Sequence, residues 1–321
     1  MSSSPTLDPA ATPGHVPASD DDERRKGTLA GVAAYSLWGL FPLVFHLLRS
    51  VSPGEVLIHR IVWSFVVVVG LLVARRERHW LRAVRALPGA LPRLTLAALL
   101  IATNWLVYIW AVNNDHVVEA ALGYYINPLI TVALGVVVLG EHLRRPQLVA
   151  LAFGAAAVVV LSVAYGQVPW ISLVLACSFG SYGFLKKAVP VGTVTSLAVE
   201  TLVLLPAALA GLVVLLATGD AAFLHGSVGR DILLVGLGVV TAVPLLLFGT
   251  AARRIPLSLL GLLQYLTPTL QLMCGVLVFH EPMPPARLAG FVLVWVALAV
   301  LGADALGERR RTTALPVVEP T

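Results

Sequence analysis

From Gly27 onward, apolar runs of helix length alternate with short interruptions of charge, Pro or Gly. A helix rises about 1.5 Å per residue, so about 20 predominantly apolar residues cross a hydrocarbon layer. The pattern predicts ten spans, at 27–48, 55–73, 91–112, 117–139, 146–165, 169–185, 194–217, 231–252, 257–279 and 286–306. Residues 1–26 hold no apolar core and are expected to form a disordered cytoplasmic tail, and the stretch from 307 to 321 is expected to be a polar cytoplasmic tail.

Two of these runs are copies of one another. Tyr125–Leu148 and Tyr265–Leu288 align throughout, with Tyr125 on Tyr265, Pro128 on Pro268, Gly135 on Gly275, Glu141 on Glu281 and Leu148 on Leu288. A duplicated unit is the simplest origin, and duplicated membrane units are a common architecture of secondary transporters. The expected repeats are 27–165 and 169–306. Five spans per repeat is an odd number, so the second repeat enters the membrane from the opposite side. The expected fold is therefore an all-α polytopic membrane protein of ten transmembrane helices in two inverted five-helix repeats.

Composition agrees with that class: 58% of residues are hydrophobic and 12% charged, against roughly 45–50% and 25% in soluble domains. The net charge of +5 is absorbed by one set of loops. With the N-terminus cytoplasmic, every Lys and Arg except Arg49, Arg60, Arg230 and Arg287 falls in cytoplasmic segments, the bias that orients membrane proteins. Both termini are thus expected in the cytoplasm of an inner-membrane, multi-pass protein, and no nucleic-acid partner is expected. Cys177 and Cys274 lie in apolar runs and read as small hydrophobes rather than metal ligands.

Polar residues within the runs are the candidate site. A charge at bilayer depth costs about 2.5–3.5 kcal/mol on insertion scales, so such groups face a bundle interior or a wet cavity. Arg60, Asn104, Trp105, Tyr108, Glu119, Tyr125 and Asn127 are the candidate substrate contacts of the first half, and Glu200, Gln264, Tyr265 and Thr267 those of the second. Arg60 and Glu119 are expected to share the outer half of a cavity, either as an ion pair closing the path or as a cation site tuned by Glu119. Glu200 belongs to the inner half. Pro128 and Pro268 are candidate hinges, each freeing a backbone carbonyl at a matching position of the two repeats. Plainer readings stand beside these: Trp80, Tyr165 and Trp170 as interfacial anchors, Glu55 as a helix N-terminal charge, the prolines as tolerated kinks, and His46 and His59 as hydrated histidines.

Several chemistries are missing from the sequence. No lysine follows a glycine-rich phosphate loop, so the chain itself does not use ATP. His280-Glu281 begins like a zinc helix motif, but Pro284 stands where the second histidine is required. Neither an enzyme, a cofactor nor a metal is expected.

The blocks AYSLWGLFPLVF (34–45), HRIVWS (59–64), NWLVYIWAVNNDHVVEAALGYYINPL (104–129) and LLQYLTPTLQ (262–271) resemble the RarD-type permeases of the EamA family, within the drug/metabolite transporter superfamily. The resemblance implies a ten-helix inner-membrane permease with a central cavity, exporting small organic solutes without ATP. Its partners would be a small-molecule substrate and the lipid bilayer, with a homodimer left open. Uptake, lipid flipping and a non-transporting scaffold or sensor are the alternatives.

Overall fold

The structure is a computed structural model that describes residues 20–313, apart from 78, 141, 143, 188, 253, 256–258, 261 and 262. Among the described residues the chain is helical throughout, with no strand. The elements are α1 (Asp20–Gly39), α2 (Phe41–Leu47), α3 (Pro53–Ala74), α4 (Trp80–Arg85), α5 (Ala90–Asn113), α6 (Val117–Leu139), α7 (Arg145–Tyr165), α8 (Trp170–Lys187), α9 (Thr193–Thr218), α10 (Val228–Ala252), α11 (Leu266–Met273) and α12 (Pro285–Thr313). A π-helical turn, Cys274–Val278, continues α11. Among the described residues eight stretches are long and apolar enough to cross a membrane, and Trp170–Lys186 and Leu266–Val278 are shorter apolar helices. Large aliphatic side chains such as Val137, Val163 and Val213 point outward on these helices, as a polytopic membrane protein requires.

Helix starts and stops follow local chemistry. Ser52 caps α3 by accepting from the Glu55 amide at 3.2 Å, and Pro53 fills the first helical position, where no N–H is needed. α6 ends on Gly140 at φ +67°, a left-handed conformation that glycine adopts without strain. Its aligned partner His280 adopts φ +55° at the end of the π turn.

Several boundaries depart from expectation. α1 starts at Asp20, inside the stretch expected to be a tail, and α12 runs on to Thr313. The first span is broken at Leu40, where Pro42 opens a second short helix. The ninth is interrupted by a turn at Gln264–Tyr265. Glu141 and the tail segments 1–19 and 314–321 fall outside the described residues.

The packing has a two-fold pattern. α5 lies on α8 as α1 lies on α10; α6 lies on α8 as α11 lies on α1; α3 packs on both α9 and α10, and α7 on α12. One contact recurs in detail. A side chain on Gly180 would collide with Asn127 and Ile130, and one on Gly39 with Thr267 and Leu270, the residues aligned with Asn127 and Ile130. Both close approaches need a glycine.

Some of the contacts between distant segments lie at two rims. One joins the starts of α3, α6, α8 and α12 to the loops after α9 and α11. The opposite rim joins α1 to the end of α10 through Glu23 and Arg254, and α7 to α12 through Arg144 and Asp304. We call these the upper and lower rims.

Candidate substrate site

Arg60 sits seven residues into α3, roughly 10 Å along the helix from its start at the upper rim. Its side chain is almost completely buried. The guanidinium lies over the Trp105 ring at 4.0 Å and beside the rings of Phe45 and Phe41 at 5.5 and 5.6 Å. Phe41 and Phe45 are four residues apart on α2, which places both on one face. Nε donates to Thr241 Oγ1 of α10 at 3.2 Å. No carboxylate among the described residues pairs with this arginine. Cation–π contacts of a desolvated arginine are worth about 2 kcal/mol, less than the several kcal/mol that burying an unpaired charge costs.

The wall beside it is aromatic and incompletely satisfied. Tyr108, three residues after Trp105, meets Phe45 edge to face at 5.9 Å and Tyr124 at 5.7 Å. Its buried hydroxyl has no hydrogen-bond partner among the described residues. Asn104, by contrast, is fully engaged: Nδ2 donates to the Leu175 carbonyl at 3.1 Å and to Ser178 Oγ at 3.0 Å, and Oδ1 accepts from Tyr124 at 2.9 Å. It fastens α5, α6 and α8 together.

Glu119 is placed away from Arg60. It accepts from Arg287 Nη2 at 3.3 Å and faces His116 Nδ1 at 3.3 Å, so the acid expected beside Arg60 is held at the upper rim by α12. A cavity of about 40 Å³ lies there, bounded by Glu119, Trp170, Ser172, Arg287 and Phe291. That is far below the roughly 150 Å³ of a cavity that holds a benzene-sized molecule, too small for an organic solute.

Glu200 lies in the lower half. It accepts from Lys186 Nζ at 2.8 Å, Ser196 Oγ at 2.7 Å and Tyr182 at 3.1 Å, a buried carboxylate with three donors. Tyr125 and Tyr265, aligned in the repeats, stack at 6.5 Å, and Tyr125 shares a 2.6 Å hydrogen bond with Thr269. Thr267 donates to the Tyr35 carbonyl at 2.9 Å. Asn127 is buried beside Gly180, its Oδ1 without a partner among the described residues. Gln264 lies at the turn before α11, half-buried. Pro128 is inside the continuous α6, whereas Pro268 is in the first turn of α11. The Gln264 carbonyl that Pro268 leaves without its helical donor is taken by the Thr267 amide at 3.3 Å, so the expected free carbonyl is not available there.

Comparison with known proteins gives the same class as the geometry. The EamA-like transporter family matches residues 25–163. Protein RarD of Streptomyces exfoliatus is 51% identical over 302 residues, 94% of this chain and 96% of the relative. Protein RarD of Escherichia coli K12 is 39% identical over 92% of this chain and 99% of its own length. The chain belongs to the EamA family, as a RarD-type permease. The chloramphenicol-sensitive protein RarD of Pseudomonas aeruginosa is 32% identical over 87% and 94% of the two chains. Other relatives are named transporters; the protein is a membrane transporter and not an enzyme. A crystal structure at 20% identity superposes with a TM-score of 0.55 over 89% of this chain and 99% of that one, a likeness of fold alone.

Two carboxylates of this EamA-family chain have roles that the sequence did not disclose. Glu281 accepts from the Val117 and Val118 amides at 2.6 and 2.9 Å, capping the start of α6 from the loop after α11. Burial holds this carboxyl above the usual carboxylate range, against the pull of the two backbone N–H groups. Glu55 accepts from the Ala222 and Phe223 amides at 3.0 and 2.9 Å, so it ties α3 to the loop after α9 instead of merely answering its own helix dipole. The sequence signal for Glu281 was its recurrence at a repeat-equivalent position. Phe41, Phe45 and Thr241 were also missed, since an apolar or hydroxyl side chain in a membrane run carries no flag of its own.

Proposed function

We propose that this protein is a secondary carrier that exports small organic solutes by alternating access, without ATP. In this reading all ten apolar helices cross the membrane, as inverted repeats 27–165 and 169–306, with both termini in the cytoplasm and the upper rim external. The recurrent glycine contacts, the paired helix packing and the matching positive-φ helix ends at Gly140 and its aligned partner His280 support the repeat. The observation that carries the function is Arg60: a buried cation with no carboxylate among the described residues, boxed by α2, α3 and α5 of one half and α10 of the other. A site between repeats is where alternating access requires the substrate.

The upper rim is held by buried carboxylate-to-amide bonds and the lower rim by exposed ion pairs. This difference supports a conformation closed toward the external side. The test is an untargeted comparison of metabolites inside cells and in the medium, with and without the protein. Solutes that accumulate outside only when the protein is present support export. Accumulation inside would make it an importer, and unchanged pools in both compartments would favour the scaffold.

A further inference from the structure

We infer that the Arg60 box takes the carboxylate of a singly charged organic acid whose body is flat and apolar, and that it discriminates against amino acids. This deepens the carrier reading, on which it rests, by naming the substrate class at that same site.

Charges and donors in the box decide the head group. Arg60 brings one positive charge, and its one side-chain hydrogen bond among the described residues uses Nε alone. A guanidinium carries five N–H groups in a planar fork that fits the two oxygens of a carboxylate. The buried Tyr108 hydroxyl is without a partner among the described residues and lies one helical turn from Trp105, whose ring the arginine covers, so it can donate as well. Of the other buried or half-buried cations of the bundle, Lys186 is committed to Glu200 and Arg287 to Glu119, while Arg230 donates to the Ala222 carbonyl at the upper rim, away from the box. A monoanion therefore cancels the charge of the box, whereas a dianion would leave a buried negative charge without a counterpart.

The walls define the rest of the molecule. Phe41, Phe45 and Trp105 place rings against the guanidinium, and Tyr108 and Tyr124 extend the aromatic wall behind Phe45; rings prefer flat apolar surface. Aromatic boxes also bind cations, but here the protein supplies the cation itself. An α-ammonium group next to the ligand carboxylate would meet Arg60 with like charge, and no acid among the described residues of the box receives it. Amino acids are disfavoured on that ground.

The test uses three molecules on one body: 3-phenylpropionate, its uncharged amide 3-phenylpropionamide, and phenylalanine. Each is titrated into the full-length protein in lipid nanodiscs, followed by tryptophan fluorescence, which the Trp105–Arg60 stack makes sensitive to the site. The acid is expected to bind at least tenfold more tightly than the amide or phenylalanine. Arg60→Gln should bring the acid to the level of the amide, and Arg60→Lys, which keeps charge but loses the planar fork, should fall between. Should Arg60→Gln fail to yield monodisperse protein, Thr241→Val removes the Nε acceptor while keeping the charge, and is expected to weaken the acid severalfold while leaving the amide unchanged. Equal binding of acid and amide, tighter binding of phenylalanine, or undiminished acid binding in the Arg60 variants would overturn the inference. Absent acid binding alongside protein-dependent solute export would refute the substrate class and leave the carrier. Arg60-dependent acid binding with no solute flux would refute the carrier and leave the site.

Discussion

Arg60 and Glu200 hold corresponding places in the two halves. They are 140 residues apart, the spacing of the aligned repeats, and each lies seven residues beyond the start of its helix, α3 or α9. Both are almost completely buried. Their surroundings differ: Glu200 has a cation and two hydroxyls aimed at it, whereas Arg60 has aromatic rings and one threonine hydroxyl. Burial of a charge is therefore a weak sign of function by itself. In the proposed reading, a charge that the protein neutralises from its own side chains holds the fold, and a charge left for something else to neutralise marks the site.

That contrast is most easily broken by stability measurements. Lys186→Met leaves Glu200 as an uncompensated buried carboxylate and should destabilise the protein by about 3–5 kcal/mol, read as a lowered midpoint of thermal unfolding in detergent. Arg60→Gln removes an unpaired charge, so the relief of desolvation offsets the lost ring contacts and stability should change by about 1 kcal/mol or less. Equal losses from the two variants would erase the distinction between the two charges.

A double variant separates charge pairing from packing at Glu200. In Lys186→Met/Glu200→Leu no buried charge is left, and replacing both members of a buried pair is often neutral. The double variant should recover most of what Lys186→Met loses. A double variant as unstable as the single one would mean that the packing of the site, and not its charge pairing, matters there.

An effect of a different kind, on access, is expected at the upper rim. Glu281→Ala leaves the buried Val117 and Val118 amides without their acceptor, a cost of about 1–3 kcal/mol per group. In a variant lacking Cys177 and Cys274 and carrying Ala120→Cys, this change should speed labelling by a membrane-impermeant thiol reagent added outside. Glu281→Gln keeps an acceptor and should leave labelling slow. In the proposed reading the rim is closed here and burial raises the Glu281 carboxyl within it, so closing takes up a proton, acidification favours the closed rim and the advantage is lost as pH rises through the raised value. Faster external labelling at low pH would contradict this sign.

How much of the molecule is readable from the chain depends on distance. The spans are legible because membrane helices must satisfy their backbone internally and show it as long apolar runs. Arg60 and Glu200 are legible because charge stands out in such runs, yet nothing local distinguishes the paired from the unpaired one. Lys186 is 14 residues from Glu200, but Thr241 is 181 from Arg60. Arg287 is an exception to the charge bias, and only folding brings it to Glu119 across 168 residues. The break at Leu40 is hidden for a different reason: a proline in an apolar run is compatible with either a kink or a new helix start.

The most direct test of the central claim is the metabolite comparison repeated with two variants, Arg60→Gln and Lys186→Met/Glu200→Leu, at equal amounts of folded protein in the membrane. The export signature of the wild type is expected to disappear with the first and to persist with the second. Persistence with Arg60→Gln and loss with the double variant would contradict the claim, and would move the site to the half that holds Glu200.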